Sequence, residues 1–267
     1  MESIISLSFD DGRMDNYTLM YPIIKKYDIP VTINIATGYI EGVINPSDFD
    51  FPEPMSVSML SQLFHDSNVE IAGHGYMHIN EKEDIIQGIE TLHKMFGVEA
   101  LYKGGNGFAS PGSGLSMNYY HEIHNELLAK VISYVRLSLR IVSHNLIRTF
   151  MRKLARLTHF PYAFRVAYED TLMTIVEDDV LYSIPILSST TTEEIISLIK
   201  YAMKKNASCV LMFHSIVKDG EIRNNWDYSV DKFEKLCAFL ANEREKNHLK
   251  VLTSMDLYHN LKNSNNK

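Results

Sequence analysis

Short apolar runs alternate with amphipathic stretches along most of the chain. Buried strands are predicted where Ile, Leu and Val cluster between polar residues, at 3–10, 30–36, 69–75 and 208–216. Helices are predicted where apolar residues recur at helical spacing, at 16–29, 56–68, 80–97, 191–206 and 230–246. Ser56, Asn80 and a threonine at 191 are candidate helix caps. Residues 249–261 predict a last strand and a short helix. Repeated strand–helix units predict a parallel α/β fold with right-handed crossovers.

Composition favours one cytoplasmic domain spanning residues 1–267. Hydrophobic residues make up 45% of the 267 residues and charged residues 22%, which is enough to bury a core. Cys209 and Cys237 form neither a metal-type spacing nor a disulfide framework, which fits a reducing compartment. No basic and then apolar leader opens the sequence, and no apolar run reaches the ~20 residues of a membrane span. The net charge of −7 gives no signal for nucleic acid.

Ionisable residues follow three of the predicted strands. Asp10 and Asp11 end the first run, His74 lies at the end of the run at 69–75 with His78 four residues later, and His214 follows the run "VLMF". The carboxyl ends of parallel strands meet at one rim of an α/β fold, where ligand sites form. We therefore expect these side chains to lie close together.

These residue types suit a metal-assisted hydrolysis. Two adjacent carboxylates repel each other, and burial would raise the pKa of one unless a cation neutralises the pair. Two histidines and one aspartate suit Zn²⁺ or a similar ion and leave a position open for water, whose pKa falls from 15.7 to roughly 7. The other aspartate could accept a proton from that water, and a further histidine could protonate a leaving amine.

Each signal taken alone also has an ordinary structural explanation. "DDG" is most often a turn or helix-start signal, with Asp11 as a cap. Eleven histidines make chance pairs such as His74 and His78 common, and His214 could be a hydrogen-bonded core histidine. The combination is stronger than its parts, because it requires all three groups at strand ends of one βα pattern.

Four segments carry a resemblance to the polysaccharide deacetylase (NodB-homology) family of carbohydrate esterases. They are "SFDDG" (8–12), "HGYMH" (74–78), "FASPGSG" (108–114) and "LMFHSI" (211–216). The resemblance implies a distorted, incomplete (β/α) barrel, seven-stranded and NodB-like, with its site at the carboxyl face. It also implies that Asp10 is the catalytic base, that Asp11, His74 and His78 bind the metal, and that His214 is the catalytic acid.

Substrate-binding residues are expected near the third and last motifs. The family's third motif forms a wall of the groove and lends a backbone amide to the oxyanion, which implies Ser110 and Pro111 here. The last motif implies that Leu211 lines the acetyl pocket. Trp226, the only tryptophan, could stack on a sugar face or pack in the core.

Two departures from the family pattern concern charged residues. The family's third motif often carries an arginine that clamps the catalytic aspartate, but Ala109 stands at that position, with Gly112 and Ser113 in place of an aromatic residue and a glycine. Arg136 in "ISYVRLSL" is a candidate substitute, although a solvated helix arginine is an equal alternative. The aspartate that tunes the acid histidine has no clear counterpart. The weak candidates are Asp170, Asp178 and Asp179.

Residues 127–168 contain eight Lys and Arg and no Asp or Glu. Basic residues at 136–156 recur every four positions with apolar residues between them, which predicts a basic helical insertion at about 127–168. A solvated surface helix is one interpretation. An anionic membrane surface as the partner of 136–156 is the other. Nucleic acid is not expected, because aromatic residues do not interleave with the arginines.

The sequence therefore predicts a metal-dependent hydrolase that removes N-acetyl or O-acetyl groups from an amino-sugar polysaccharide or glycolipid. One divalent ion is expected, zinc in the first place with cobalt or nickel as alternatives. A non-catalytic carbohydrate-binding relative and a hydrolase of a non-sugar amide remain as alternatives. The expected location is cytoplasmic, with peripheral membrane association as a variant.

Overall fold

A computed structural model describes residues 2–45, 53–97, 107–139 and 146–264. Within these residues the strands are β1 Ile4–Phe9, β2 Val31–Ile35, β3 Val69–Gly73, β4 Gly107–Ala109, β5 Tyr134–Ser138, β6 Val180–Pro185, β7 Cys209–Phe213, β8 Ser215–Val217, β9 Asp227–Ser229 and β10 Lys250–Val251. The helices are α1 Tyr21–Tyr27, α2 Thr37–Ile40, α3 Val57–Phe64, α4 Lys82–Phe96, α5 Met117–Lys130, α6 Leu146–Thr158, α7 Pro161–Tyr168, α8 Thr192–Lys205, α9 Val230–Glu245 and α10 Ser254–Ser264. A π-helical turn at Asn16–Met20 leads into α1.

Seven parallel strands form a closed barrel. β1 to β7 pair in chain order, and β1 then pairs with β7 from Ile5↔Cys209 to Phe9↔Phe213. The opposite edge of β1 is shared, because β10 pairs with its start at Ile4 and Ile5 while β2 pairs further along. This sharing separates β1 from β2 at one end and distorts the barrel. The predicted (β/α) barrel with seven strands is confirmed.

The strands have an apolar outer side and a polar inner side. On β1, Ile5, Leu7 and Phe9 pack into a core cluster with residues of α8 and α9. The alternate residue Ser8 accepts a hydrogen bond from Asn34 Nδ2 at 2.8 Å inside the barrel. Successive side chains of a strand point to opposite faces, so a strand that is buried throughout can have one polar face. The barrel interior can therefore carry charged residues at its carboxyl end.

Two of the three predicted helix caps are confirmed. Ser56 accepts a hydrogen bond from Met59 N, and Thr191 forms a reciprocal capping box with Glu194. The prediction for Asn80 is wrong, because α4 has Glu81 at its N-cap position and the side chain of Asn80 instead bonds to the loop after β4. A polar side chain at the start of a helix can bond to other groups that the fold brings near, instead of capping the helix.

The basic segment 127–168 is not one helical insertion. Its first residues end α5, and Tyr134–Ser138 is strand β5 of the barrel itself. The additional helices are α6 and α7, and Arg140, Val142 and His144 lie outside the described residues. The strand β5 carries Arg136, which fits the four-residue spacing of the basic residues, so this pattern does not distinguish the strand from a helix. Over the described part of the chain, the helices are too short or too polar to cross a bilayer.

Candidate active site

The barrel brings the predicted site residues to one rim. Asp10 and Asp11 follow β1, His74 follows β3, and His214 follows β7. β1 lies between β2 and β7, and β2 pairs with β3, so the ends of these four adjacent strands meet. Asp11 and His74 are each about 1% exposed, and Asp10 is 2% exposed. The expectation that these side chains lie close together is confirmed.

Asp11, His74 and His78 form a triangle of ligand atoms. Oδ1 of Asp11 lies 3.5 Å from Nε2 of His74 and 3.4 Å from Nε2 of His78, and the two Nε2 atoms are 3.2 Å apart. Ligands that bind Zn²⁺ tetrahedrally at about 2.0–2.1 Å are separated by about 3.3–3.4 Å. The three atoms therefore have the spacing of three corners of a tetrahedral site, and they are the group of potential metal ligands among the described residues.

The charge balance of the triangle also fits a cation. Oδ1 of Asp11 is buried and has no hydrogen-bond partner among the described residues. Burial by itself would raise the pKa of Asp11, but the imidazoles of His74 and His78 and the charge of Arg13 hold it well below its usual range. The carboxyl is therefore ionised, as a metal ligand must be.

A backbone contact fixes the orientation of His74, whereas His78 is placed by the conformation of its loop. Nδ1 of His74 donates to the carbonyl oxygen of Ala109 at 2.8 Å, which leaves Nε2 with its lone pair toward the triangle. His78 has a left-handed backbone (φ 60°), in a loop that also contains Gly75 at φ 79°. Such a loop needs external support, because a left-handed histidine is strained.

Asp84 supplies this support, although no pattern in the sequence singles it out. Its carboxylate accepts hydrogen bonds from the backbone N–H groups of Tyr76 (3.0 Å), Met77 (2.6 Å) and Ile79 (3.2 Å). In the sequence Asp84 looks like an ordinary acidic residue in the first turn of a helix. Only the structure shows that Asp84 is buried, at 6% exposure, and therefore that its carboxylate has a structural role.

The segment 13–16 also supports the site, and its role was not predicted from the sequence. Arg13 donates through Nε to Oδ2 of Asp11 at 2.8 Å and through Nη1 to Oγ of Ser215 at 2.8 Å. Asp15 accepts from the backbone N–H of Ile216, and Asn16 Nδ2 donates to the carbonyl oxygen of His214 at 2.8 Å. The segment thus ties Asp11, a candidate metal ligand, to three consecutive residues around the candidate acid.

Arg136 clamps Asp10. Its Nη2 lies 2.7 Å from both carboxylate oxygens of Asp10, its Nη1 donates to Ser183, and it is 1% exposed. Arg136 is the register partner of Ala109 on the neighbouring strand, so the guanidinium reaches Asp10 from β5 instead of β4. The alternative of a solvated helix arginine is wrong. Asn34 Nδ2 also donates to Oδ1 of Asp10 at 2.8 Å.

The Asp10 carboxylate is ionised in this setting. Burial raises its pKa, but the guanidinium of Arg136, and after it the neighbouring imidazoles of His74 and His214, outweigh burial and hold the pKa below its usual value. Nε2 of His214 lies 3.9 Å from Oδ2 of Asp10. The candidate base and the candidate acid therefore face each other across the rim.

His214 is neutral at pH 7. Burial lowers its pKa to about 4, and its Nδ1 has no hydrogen-bond partner among the described residues. None of the three aspartates suggested as its tuning group contacts it: Asp170 pairs with Arg148, Asp179 with Lys262, and Asp178 lies near His121. Those three suggestions are wrong, and among the described residues no carboxylate bonds to Nδ1 of His214.

Of the expected substrate-binding residues, only Trp226 lies exposed beside the site. Its ring centroid is 4.4 Å from that of His214, and 41% of the residue is exposed. Leu211 lies on the opposite face of β7 from His214, in the core between barrel and helices, and Met212 approaches the interior residue Ser183 instead. The placement of Leu211 in an acetyl pocket is therefore wrong, because side chains alternate along a strand.

The loop after β4 has a structural role at its first two positions. Ser110 donates its backbone N–H to the carbonyl oxygen of Arg136 and its hydroxyl to Asn80, and Pro111 has no N–H to offer. An oxyanion donor from this loop would have to come from a residue after Pro111. Ser110 and Pro111 instead fix Asn80, which precedes α4 and follows the His78 loop.

Comparisons with known proteins agree with the fold and with the motifs. Residues 1–102 match the polysaccharide deacetylase family, which confirms the resemblance over the part of the chain that holds Asp10, Asp11, His74 and His78. A structure from Mycobacterium smegmatis, of a protein assigned to the polysaccharide deacetylases, is 12% identical, with a TM-score of 0.58 over 97% of this chain and 90% of that chain. The peptidoglycan deacetylase PdaC from Bacillus subtilis, in its D285S form, is 12% identical with a TM-score of 0.48 over 99% of this chain and 94% of that chain. A comparison with curated proteins finds no match.

Taken together, the chain has the seven-stranded (β/α) barrel of NodB-type proteins, and its N-terminal part carries the sequence features of the polysaccharide deacetylase family.

Proposed function

We propose that this protein is a metal-dependent hydrolase that removes an N-acetyl, or O-acetyl, group from an amino-sugar-containing glycan or glycolipid. The observation that carries the proposal is the pairing of the Asp11, His74 and His78 triangle with the ionised, clamped carboxylate of Asp10. A bound Zn²⁺, or Co²⁺ or Ni²⁺ in its place, would polarise the acyl carbonyl and lower the pKa of a bound water.

The two adjacent aspartates have separate tasks in this proposal. Asp11 would hold the metal through Oδ1, because its Oδ2 is occupied by Arg13. Asp10 would take the proton of the attacking water. The contact of Arg136 Nη2 with both carboxylate oxygens holds the carboxylate in place and keeps it ionised. Each carboxylate has its own buried arginine, which reduces the repulsion between them.

His214 would supply the proton to the leaving amine. It is neutral at rest, so it would deliver a proton that it acquires during the reaction rather than one that it stores. Its backbone carbonyl is held by Asn16, and the exposed ring of Trp226 packs beside it. Trp226 would give a sugar ring a flat apolar surface at the entrance of the site.

The experiment that tests this function measures acetate release from N-acetylglucosamine oligomers with added Zn²⁺, Co²⁺ or Ni²⁺. Asp10→Asn should abolish turnover while leaving metal affinity, measured by calorimetry, nearly unchanged. His78→Ala should lose both. His248→Ala, an exposed histidine paired with Glu243, serves as the matched control and should lose neither. Full activity of Asp10→Asn would refute the assigned role.

The same assay separates the alternatives. Binding of metal and oligosaccharide without acetate release would indicate a carbohydrate-binding protein. Hydrolysis of simple amides in preference to acetylated oligosaccharides would indicate a non-sugar substrate. A protein that binds no metal would overturn the proposal as a whole.

A further inference from the structure

The helix α6 exposes a concentrated apolar surface. Six of the thirteen large apolar or aromatic side chains exposed among the described residues lie between 146 and 162. We call them the α6 surface: Leu146, Ile147, Phe150, Leu157, Phe160 and Tyr162. Leu146 and Leu157 are each 81% exposed and Phe150 is 62% exposed. Single exposed apolar residues are ordinary, but a contiguous group of this kind marks a contact site.

The exposed residues are not the face that holds α6 on the protein. Ala155 belongs to the core, and Met151 and Leu154 pack against it. Leu146, Phe150, Lys153 and Leu157 are spaced four, three and four residues apart, so they share another side of the helix. α6 is therefore apolar on two sides, and only one of them is covered by the protein's own core.

The charges of this region are all positive. Residues 146–168 contain five Lys and Arg and no Asp or Glu, in a chain whose net charge is −7. Arg148 pairs with Asp170, and Arg165 lies over the rings of Tyr162 and Tyr201. Lys153 and Arg156 are exposed beside the apolar residues. Leucine and phenylalanine flanked by exposed basic residues are typical of helices that lie in the interface of an anionic membrane.

The position of α6 relates this surface to the candidate site. Ala155 and Arg156 border a small cavity together with Leu187 and Thr190 of the loop that follows the carboxyl end of β6. Ser188 of that loop donates its N–H to the carbonyl oxygen of Asn225, next to Trp226, and its own carbonyl oxygen accepts from Lys232 Nζ. The C-terminal half of α6 therefore lies toward the rim where the site residues meet, whereas its first turn, at Arg148, lies beside Asp170 and Ala207, which precede β6 and β7.

We propose that the α6 surface docks on an anionic lipid surface, with Leu146, Phe150 and Leu157 inserted among the lipids and Lys153 and Arg156 at the headgroups. A second copy of the chain is the less suitable occupant, because a symmetric contact would bring the basic residues of two α6 helices together. The segment expected to contact a membrane was 136–156. This inference replaces it with the exposed residues of 146–162. It does not depend on the proposed hydrolysis.

Vesicle sedimentation tests this inference with the full chain. Vesicles of phosphatidylcholine and phosphatidylglycerol in equal parts should pellet the wild-type protein at low salt, and pure phosphatidylcholine should bind it more weakly. Phe150→Ser combined with Leu157→Ser should reduce partitioning by about tenfold or more, since two apolar side chains that would insert among the lipids are lost. Lys153→Glu should reduce it about fivefold or more on the anionic vesicles alone.

A matched control uses exposed apolar residues elsewhere. Ile175→Ser combined with Ile222→Ser removes side chains that are 47% and 42% exposed and should leave partitioning unchanged. Circular dichroism and metal affinity of every variant verify that the fold and the triangle are intact. No binding of the wild type at low salt, or equal binding by the Phe150/Leu157 variant, would overturn the inference. So would a wild-type dimer that this variant converts to a monomer, because a second copy would then cover the surface.

Discussion

Replacement of Arg136 by methionine should destabilise the protein by about 3–5 kcal/mol. The guanidinium lies 2.7 Å from both oxygens of Asp10, and side-chain exposure is only 2% and 3% for the two partners. Opposite charges about 4 Å apart interact by about 4 kcal/mol at an effective dielectric constant near 20. Removing one partner of such a buried pair leaves the other charge without compensation, which gives the stated range.

A double-mutant cycle tests the reasoning by urea unfolding in the presence of a chelator, so that metal binding does not contribute. Arg136→Met and Asp10→Asn should each be destabilising, and the double variant should cost less than the sum, because no buried charge is then left unpaired. Arg223→Met, which removes a 66% exposed arginine 3.9 Å from Asp227, is the control and should change the midpoint little. A loss below about 1 kcal/mol for Arg136→Met, or strict additivity, would refute the buried-clamp argument.

Three further predictions concern the support of the site. Asp84→Ala should lower metal affinity about 10–100-fold in calorimetry, because three backbone N–H groups of the His78 loop lose their acceptor; unchanged affinity would contradict this. Gly88→Ala should cost about 1–3 kcal/mol in urea unfolding, because a Cβ at this position would lie 2.7 Å from the backbone carbon of Gly75; an unchanged midpoint would argue against it. Burial raises the pKa of Asp15 from 3.8 to about 6, so the folded state holds this proton more tightly, and the resulting stability is full below pH 4 and lost as the pH rises through 6. Relative to wild type, Asp15→Asn should therefore gain up to about 3 kcal/mol between pH 4 and 7, and parallel stability curves would exclude this linkage.

Most of the candidate metal centre could be predicted from the sequence. Asp10, Asp11, His74 and His214 each follow an apolar run, and the order of strands and helices requires those runs to be parallel. Parallel strands that close a barrel bring their carboxyl ends to one rim, so local patterns were enough to place the groups together. The same logic failed for Leu211, where a motif was transferred without regard to the alternation of side chains along β7.

The groups that support the site were either left open between alternatives, as Arg136 was, or not identified from the sequence, as Asp84 and Arg13 were. Arg136 meets Asp10 across 126 residues of sequence, because β4 and β5 are neighbours and a guanidinium can reach inward from either. Asp84 and Arg13 look like surface residues in the sequence and become buried only when loops fold over them. Their partners are backbone groups and side chains that no local pattern specifies.

The sequence alone therefore determined the parallel α/β class, the strand ends and which residues are candidate metal ligands, because these depend on hydrophobic periodicity and on residues close together in the chain. Only the tertiary structure decided which arginine clamps Asp10, which carboxylate holds the His78 loop, and which side of α6 remains exposed. Those features depend on burial and on contacts between distant segments, and both exist only once the chain is packed.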